Sequence, residues 1–315
     1  MKLAYLYTES ALTPWKENVS LRTLNFLVEN TPEEFSPSIV HFVDFSSDFA
    51  EALRSFDLVF NLCYGFHDAG QVDVADWLSQ QGILHTASPT QAMLLAQDKA
   101  GLVEMCADLK VSTPPLIFSS TQLHEEQIYL RKPRLGSCHR GIQIESGAWF
   151  QERWNELHGD YILQPYISGR EFSVAVIPSF DGMTFEPLPP VEIYPVQGQE
   201  VYTAGKSFGE TRREFSPNIS TDLSEALQAG ALEIHQKMNL QGMSRTDFRV
   251  DAFDFIYALD VNAMPNLDPE LSLMPAICHH SGISITELIQ RIIQNTMGNA
   301  SETACSLTAN VDEFA

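Results

Sequence analysis

The chain has 315 residues, with 19 Lys and Arg against 41 Asp and Glu, a formal net charge of −22. Hydrophobic residues make up 44% and charged residues 19%, a globular composition that excludes a disordered chain; at about 100–150 residues per domain this length fits two or three domains. So large an excess of acid excludes extended nucleic acid and anionic lipid as partners, since both need clustered Lys and Arg.

The apolar start at residues 3–7 is cut off by Thr8-Glu9-Ser10, well short of a signal peptide. No run approaches the ~18 apolar residues of a transmembrane helix. The cysteines (Cys63, Cys106, Cys138, Cys278, Cys305) are widely spaced and form no CxxC pair, which argues for neither a disulfide framework nor a zinc site. A soluble cytoplasmic protein is expected.

In chain order, residues 3–7, 38–42 and 57–63 are short apolar runs that predict buried strands. Leu21, Leu24, Leu27 and Val28 recur at helical spacing between the first two, and Val72, Ala75, Trp77 and Leu78 do so after the third. Strand–helix alternation predicts a parallel α/β layer, with ligands beyond the strand carboxyl ends near residues 61–70. A small-residue turn at 87–90 marks a boundary before a helix over 98–109, which Pro114-Pro115 lies beyond. Residues 116–164 predict a small α+β unit: a strand at 128–132, a Gly-containing loop and a helix around 150–157. Strands follow at 161–167 and 172–177, then an irregular polar stretch at 198–219 of a length unusual unless the segment is functional or disordered. Leu223, Leu227, Ala231, Ile234 and Met238 mark a helix with Asp222 and Glu225 as its capping box. Residues 248–253 and 255–261 predict a hairpin turning near Asp254. The last helix opens at Ser284 with Glu287 three residues on, and residues 298–315 predict a frayed tail.

Three segments could carry chemistry. Ser244-Arg245-Thr246-Asp247 precedes Ala258-Leu259-Asp260-Val261-Asn262. Residues two apart on a strand share a face, so Asp260 and Asn262 project together and the hairpin brings Asp247 across from them. Two carboxylates and an amide oxygen suit Mg²⁺ shared with substrate phosphates. Arg245 would aim at the same place. From spacing alone, polar residues ending a strand explain Asp260 and Asn262 equally well. Second, the strand Leu130-Arg131-Lys132-Pro133 delivers a lysine ahead of Gly136-Ser137-Cys138-His139-Arg140-Gly141, a loop able to fold over phosphates, although an ordinary turn has the same look. Third, Glu171 opens an apolar strand after Gly169 and could accept hydrogen bonds from a ribose, or simply be solvated.

In this order, and with Gln97-Asp98-Lys99, Leu271-Ser272-Leu273-Met274-Pro275 and Gly282-Ile283-Ser284, these segments resemble the D-alanine–D-alanine ligase-like ATP-grasp family of carboxylate–amine ligases over residues 1–297. The resemblance implies an α/β fold, α+β in its central and C-terminal parts, in three domains. These are an N-terminal parallel-sheet pre-ATP-grasp domain (1–90), a central ATP-grasp subdomain (91–163) and a C-terminal subdomain with the metal site (164–297), before a flexible tail (298–315). It implies ATP clamped between the second and third domains. Lys99 and Lys132 match phosphate-contacting lysines, Gln164 and Ile167 the adenine hinge, and Glu171 the ribose ligand. Asp247, Asp260 and Asn262 match the ligands of two Mg²⁺ ions, for which Mn²⁺ is an admitted substitute. Arg245 matches the arginine that stabilises the acyl phosphate and tetrahedral intermediate. Gly136 and Ser137 match the start of the phosphate loop, and Lys206 the phosphate-reaching lysine of the mobile loop. Ser272 and Leu273 match the pair that binds the incoming amino acid's carboxylate.

The departures cluster on the acyl-donor side. The family has a glutamate shortly before Val19-Ser20-Leu21; the ungapped match is Lys16, and a one-residue gap would restore Glu17. Tyr64 stands where the family often has a histidine, Ser207 replaces an aromatic residue, Asp260 a longer glutamate and Asn266 a glycine. The expectation is therefore an ATP-dependent ligase joining a carboxylic acid to the amine of an amino acid, with a donor other than free D-alanine, for instance mycosporine-glycine. Two alternatives stand beside it: D-alanine–D-alanine ligase of peptidoglycan synthesis, and a nucleotide-binding ATP-grasp protein without ligase activity. Partners are small-molecule acids and amino acids, with no nucleic acid and no membrane; a homodimer is carried by analogy with the family.

Overall fold

The computed structural model describes residues 1–8, 19–64, 70–135, 141–157, 159–194 and 212–312, the last eleven by backbone alone. The first unit alternates strand and helix: β1 (Lys2–Tyr7), α1 (Leu21–Glu29), β2 (Ser36–His41), α2 (Ser47–Leu53), β3 (Leu58–Leu62) and α3 (Gly70–Gln80). β1 lies in the middle and pairs in parallel with both neighbours, Tyr5 opposite Ile39 on one side and Phe60 on the other. Period-2 alternation sends Ala4 and Leu6 into a core with Phe42, Val59 and Trp77. Leu3, Tyr5 and Phe60 go the other way, into a larger core with Ala175, Ile177, Leu288 and Ile292 from the far part of the chain. This shared core fixes the carboxyl ends of the parallel strands against the C-terminal unit.

Two short helices follow, α4 (Thr90–Gln97) and α5 (Lys99–Cys106). Asp98 breaks them apart: it caps the end of α4, and its carboxylate accepts from the Ala100 N–H at the start of α5. A small antiparallel sheet comes next, with β4 (Ile128–Pro133) between β5 (Gln143–Ser146) and, after α6 (Gly147–Glu152), β6 (Tyr161–Pro165). The remaining strands are β7 (Arg170–Pro178), β8 (Phe185–Pro187), β9 (Val191–Tyr194), β10 (Arg212–Glu214), β11 (Ser244–Val250) and β12 (Ile256–Asn262), with α7 (Thr221–Lys237) between β10 and β11. They form an antiparallel sheet in the order β10-β9-β7-β11-β12, with β8 on β7. α8 (Leu273–His280) and α9 (Ile285–Asp312) close the chain. Phe172, Val174, Phe248 and Val250 turn one sheet face onto Leu227, Ala231 and Ile234 of α7. The opposite face carries the polar residues described below.

The structure departs from the periodicity at several places. The helix expected at 98–109 ends at Cys106, and residues 90–97 form a helix of their own. Around 150–157 there is one turn and a half of α-helix followed by a 3₁₀ turn, because the Arg153 backbone (φ −106°, ψ 9°) leaves the helical region. The cap of α7 is Ser220, whose Oγ accepts from Leu223 N–H at 3.1 Å, rather than an Asp222/Glu225 box. Finally, α9 continues to Asp312 where a frayed tail is expected from residue 298, since nothing after Gly298 stops a backbone already propagating from a packed start. Among the described residues no helix is long and apolar enough to cross a membrane.

Candidate active site

The register of β11 against its neighbours assembles the site. Asp247 stands opposite Asp260 and Arg245 opposite Asn262 on β12, while Asp247 faces Ser173 and Arg249 faces Glu171 on β7. Opposite residues share a face, so Arg245, Asp247, Arg249, Glu171, Ser173, Asp260 and Asn262 converge on one side of the sheet. Arg245 meets Asp247 in a fork, Nε to Oδ1 and Nη2 to Oδ2, each at 2.9 Å, and Ser173 Oγ donates to Asp247 Oδ1 at 2.5 Å. A bidentate pair of this kind fixes the guanidinium plane as well as its place.

Two lysines approach this face from the preceding elements. Arg134, just past β4, donates to both oxygens of Asp98 at 2.7 and 2.6 Å, and the Lys99 N–H donates to the Arg134 carbonyl. That anchoring places Lys99 Nζ 3.4 Å from Asp260 Oδ1. Lys132, from β4, crosses to the large sheet, where its Nζ donates to the Leu259 carbonyl at 2.9 Å. Burial lowers the Lys132 ammonium to about 8; Asp260 and Glu171 pull it up, and the Lys99 charge pushes it further down. Glu171 moves the opposite way: burial raises its carboxyl to about 7, against the pull of Arg249.

Asp247, Asp260 and Asn262 offer oxygen donors only, the chemistry a hard divalent cation prefers. The Asp260 carboxylate is half-exposed, and Asn262 Oδ1 already accepts from Met264 N–H at 3.0 Å while keeping its second lone pair. Among the described residues no group of three or more His, Cys, Asp or Glu is placed to hold a metal. Two carboxylates and an amide therefore fit a cation whose remaining ligands come from substrate phosphate and water.

A second polar cluster forms where the loop after β12 meets the N-terminal unit. Asp268 is buried and accepts from Thr23 Oγ1 at 2.8 Å and from the Glu270 and Leu271 N–H groups. Arg22 bridges Asp268 and Glu270. From the other side, Arg213 Nη2 donates to the Leu271 carbonyl at 2.6 Å, and Phe215 stacks on His280. Ser272 then caps α8 without a side-chain capping bond. The phenol of Tyr64 is buried and donates to the Pro265 carbonyl at 3.3 Å, and burial raises its ionisation well above the usual range.

The structure thus brings together Lys99, Lys132, Glu171, Arg245, Asp247, Asp260 and Asn262, and sets Tyr64 against the loop that leads to Ser272 and Leu273. Gln164 is buried on β6, with its Nε2 donating to the Pro114 carbonyl at 2.6 Å, and Ile167 lies half-buried just beyond. Lys16, Glu17, Gly136, Ser137, Lys206 and Ser207 lie outside the described residues. The periodicity missed Arg249, although it completes the alternation Arg245, Asp247, Arg249 on one strand face. Asp268 and Arg213 gave no local signal, since their partners come from distant segments.

The chain is similar to several known proteins. Residues 152–294 match the family model described as D-ala D-ala ligase C-terminus. A D-alanine–D-alanine ligase of Thermotoga petrophila is 29% identical over 264 residues, covering 80% of this chain and 84% of its own. That of Rhizorhabdus wittichii is 27% identical over 258 residues, covering 76% and 80%. Among solved structures, the D-alanine–D-alanine ligase of Bacillus anthracis complexed with ATP superposes with a TM-score of 0.75 at 19% identity, covering 96% of this chain and 99% of that one. The VanG D-Ala:D-Ser ligase of Enterococcus faecalis gives 0.76 at 18% identity, covering 94% and 99%.

Proposed function

The chain belongs to the D-alanine–D-alanine ligase-like ATP-grasp family, and from that premise we propose that it joins two D-alanine-type amino acids through an ATP-derived acyl phosphate. Its class is an ATP-dependent carboxylate–amine ligase. The observation that carries the proposal is the row of paired charges on β7, β11 and β12, faced by two lysines from the preceding elements. The relatives named above favour D-alanine–D-alanine ligation over a specialised donor, and nothing in them supports mycosporine-glycine.

In the proposed reaction, one substrate carboxylate attacks the γ-phosphorus of ATP, forming an acyl phosphate and releasing ADP. The amine of the second substrate then attacks the acyl carbonyl, and the tetrahedral adduct expels phosphate to leave an amide. Lys99 and Lys132 neutralise phosphate charge, and Glu171 accepts from the ribose. Arg245, held in plane by Asp247, donates to the oxygens that gain charge as the tetrahedral adduct forms. Asp247, Asp260 and Asn262 would hold Mg²⁺, which would supply charge neutralisation for the phosphates. We take the number of ions as two. On the acceptor side, Asp268 and Arg213 hold the loop that presents Ser272 to a substrate carboxylate. A cytoplasmic enzyme working as a homodimer completes the proposal.

Phosphate release from Mg-ATP tests it directly. D-alanine alone is expected to support steady turnover, and D-alanyl-D-alanine is the expected product. Turnover only when a second carboxylic acid is added would sink the D-alanine donor, and Mg-ATP binding with no turnover for any acid–amine pair would sink the ligase itself.

A further inference from the structure

Arg249 is 6% exposed in the middle of the large sheet, where an apolar residue would pack at less cost. Its contacts explain its presence. Nη2 donates to Glu171 Oε2 at 2.7 Å, directly across the β7–β11 pair. Nη1 donates to the Gly169 carbonyl at 3.3 Å, and the guanidinium lies 5.7 Å from the centre of the Tyr166 ring. One side chain therefore ties the Glu171 carboxylate to both ends of the short segment that joins β6 to β7. Gly169 (φ +155°) allows that tie: a Cβ there would sit 2.0 Å from the Val250 carbonyl oxygen, so only glycine lets the segment lie flush against β11. Among the described residues the guanidinium is not fully used, because its Nε is buried without a partner there. It engages one Glu171 oxygen and leaves Oε1 for a ligand.

We propose that Arg249 is a positioning residue for nucleotide selection: it locks Glu171 and residues 166–169 into one unit, so that Glu171 Oε1 accepts from a ribose hydroxyl. The inference rests on the ATP reading above and deepens it. A carboxylate held this way rewards a nucleotide that carries ribose hydroxyls, and a carboxylate free to rotate does not. Selection is thus set by a residue that itself makes no bond to the sugar.

Equilibrium binding of Mg-ATP and of its 2′,3′-dideoxy analogue to the full chain tests this. The wild type is expected to prefer ATP by about tenfold, the worth of one charge-assisted hydrogen bond. Arg249→Met should raise the Kd for ATP by about that factor and change the Kd for the dideoxy analogue by less than about twofold. Glu171→Gln should lose the preference to a similar extent, and the double variant should lose little more. If Arg249→Met does not fold, Arg249→Lys carries the test: it keeps the buried charge but lacks the fork, and should lose at least about half of the preference on the logarithmic scale. Equal weakening of both nucleotides, or an unchanged preference, overturns the inference while leaving the ATP reading intact. A wild type that binds Mg-ATP without preferring it over the dideoxy analogue does the same. A wild type that binds no Mg-ATP overturns both.

Discussion

The two faces of the β7–β11 pair share a backbone and a burial but not a chemistry. Phe172, Val174, Phe248 and Val250 point to one side and pack on α7, a face whose only requirement is volume. Glu171, Ser173, Asp247, Arg245 and Arg249 point to the other, and they are largely withdrawn from water too. There each charge persists because another answers it: Arg245 with Asp247, Arg249 with Glu171, Lys99 with Asp260. A buried ion pair contributes little net stability, while removing one partner strands the other. The apolar face is therefore where stability is expected to reside, and the polar face where activity does.

Single substitutions can break that division. The largest effect on turnover is expected from Arg245→Ala and Asp247→Ala. Loss of one preorganised donor to a developing oxyanion costs about a hundred- to a thousandfold, and Asp247→Ala should approach that loss because it frees the guanidinium it holds. Phosphate release measures the effect, and an unchanged far-ultraviolet circular dichroism spectrum shows that the sheet persists. Phe248→Ala is the mirror experiment. It empties a fully buried site and should cost about 3–5 kcal/mol in denaturant titration, yet keep near-normal turnover at a temperature where the variant stays folded. Were Phe248→Ala to abolish turnover while folded, or Arg245→Ala to leave turnover near normal, the two faces would not divide the work.

A smaller effect depends on pH. Burial lowers Lys132 to about 8, so it is cationic below that pH and neutral above it. If ATP requires the ammonium, the apparent Kd for Mg-ATP should stay flat below pH 8 and rise by about tenfold by pH 9. The lysine of the free protein sets where this rise begins, and phosphate bound beside it moves only the pH at which the rise levels off. Lys132→Met should bind more weakly at every pH and show no such limb, and a wild-type profile flat through pH 9 would remove Lys132 from the phosphate site.

How much of this was legible follows the range of each interaction. Asp260 and Asn262 sit two apart on one strand, and the hairpin that carries Asp247 to them spans a few residues, so alternation alone brought the three together. Glu171 and Arg249 are 78 residues apart. Their meeting depends on which strands lie side by side, a choice made by the whole sheet and absent from any local window. The three-residue strands β8 and β10 were invisible for a related reason: they are held by pairing with longer neighbours rather than by a pattern of their own. The Asp268 cluster joins the first helix to the loop after the last strand, and no periodicity speaks to such a contact.

The smallest expected effect tests local reading against tertiary placement at the start of α7. Asp222 and Glu225 have the spacing of a capping box, but a box needs its first residue outside the helix, with extended backbone. Ser220 has that conformation (φ −67°, ψ 155°), and its Oγ satisfies the Leu223 N–H. Asp222 lies inside the first turn, where its charge faces the positive end of the helix dipole. Ser220→Ala should therefore cost about 1 kcal/mol of unfolding free energy, and Asp222→Ala about half as much or less, with the latter effect falling at high salt. Neither should change turnover, since α7 packs on the apolar face. If Asp222→Ala proved the costlier change, the helix would begin two residues later than its backbone indicates, and the periodic signal would be the better guide to where α7 starts.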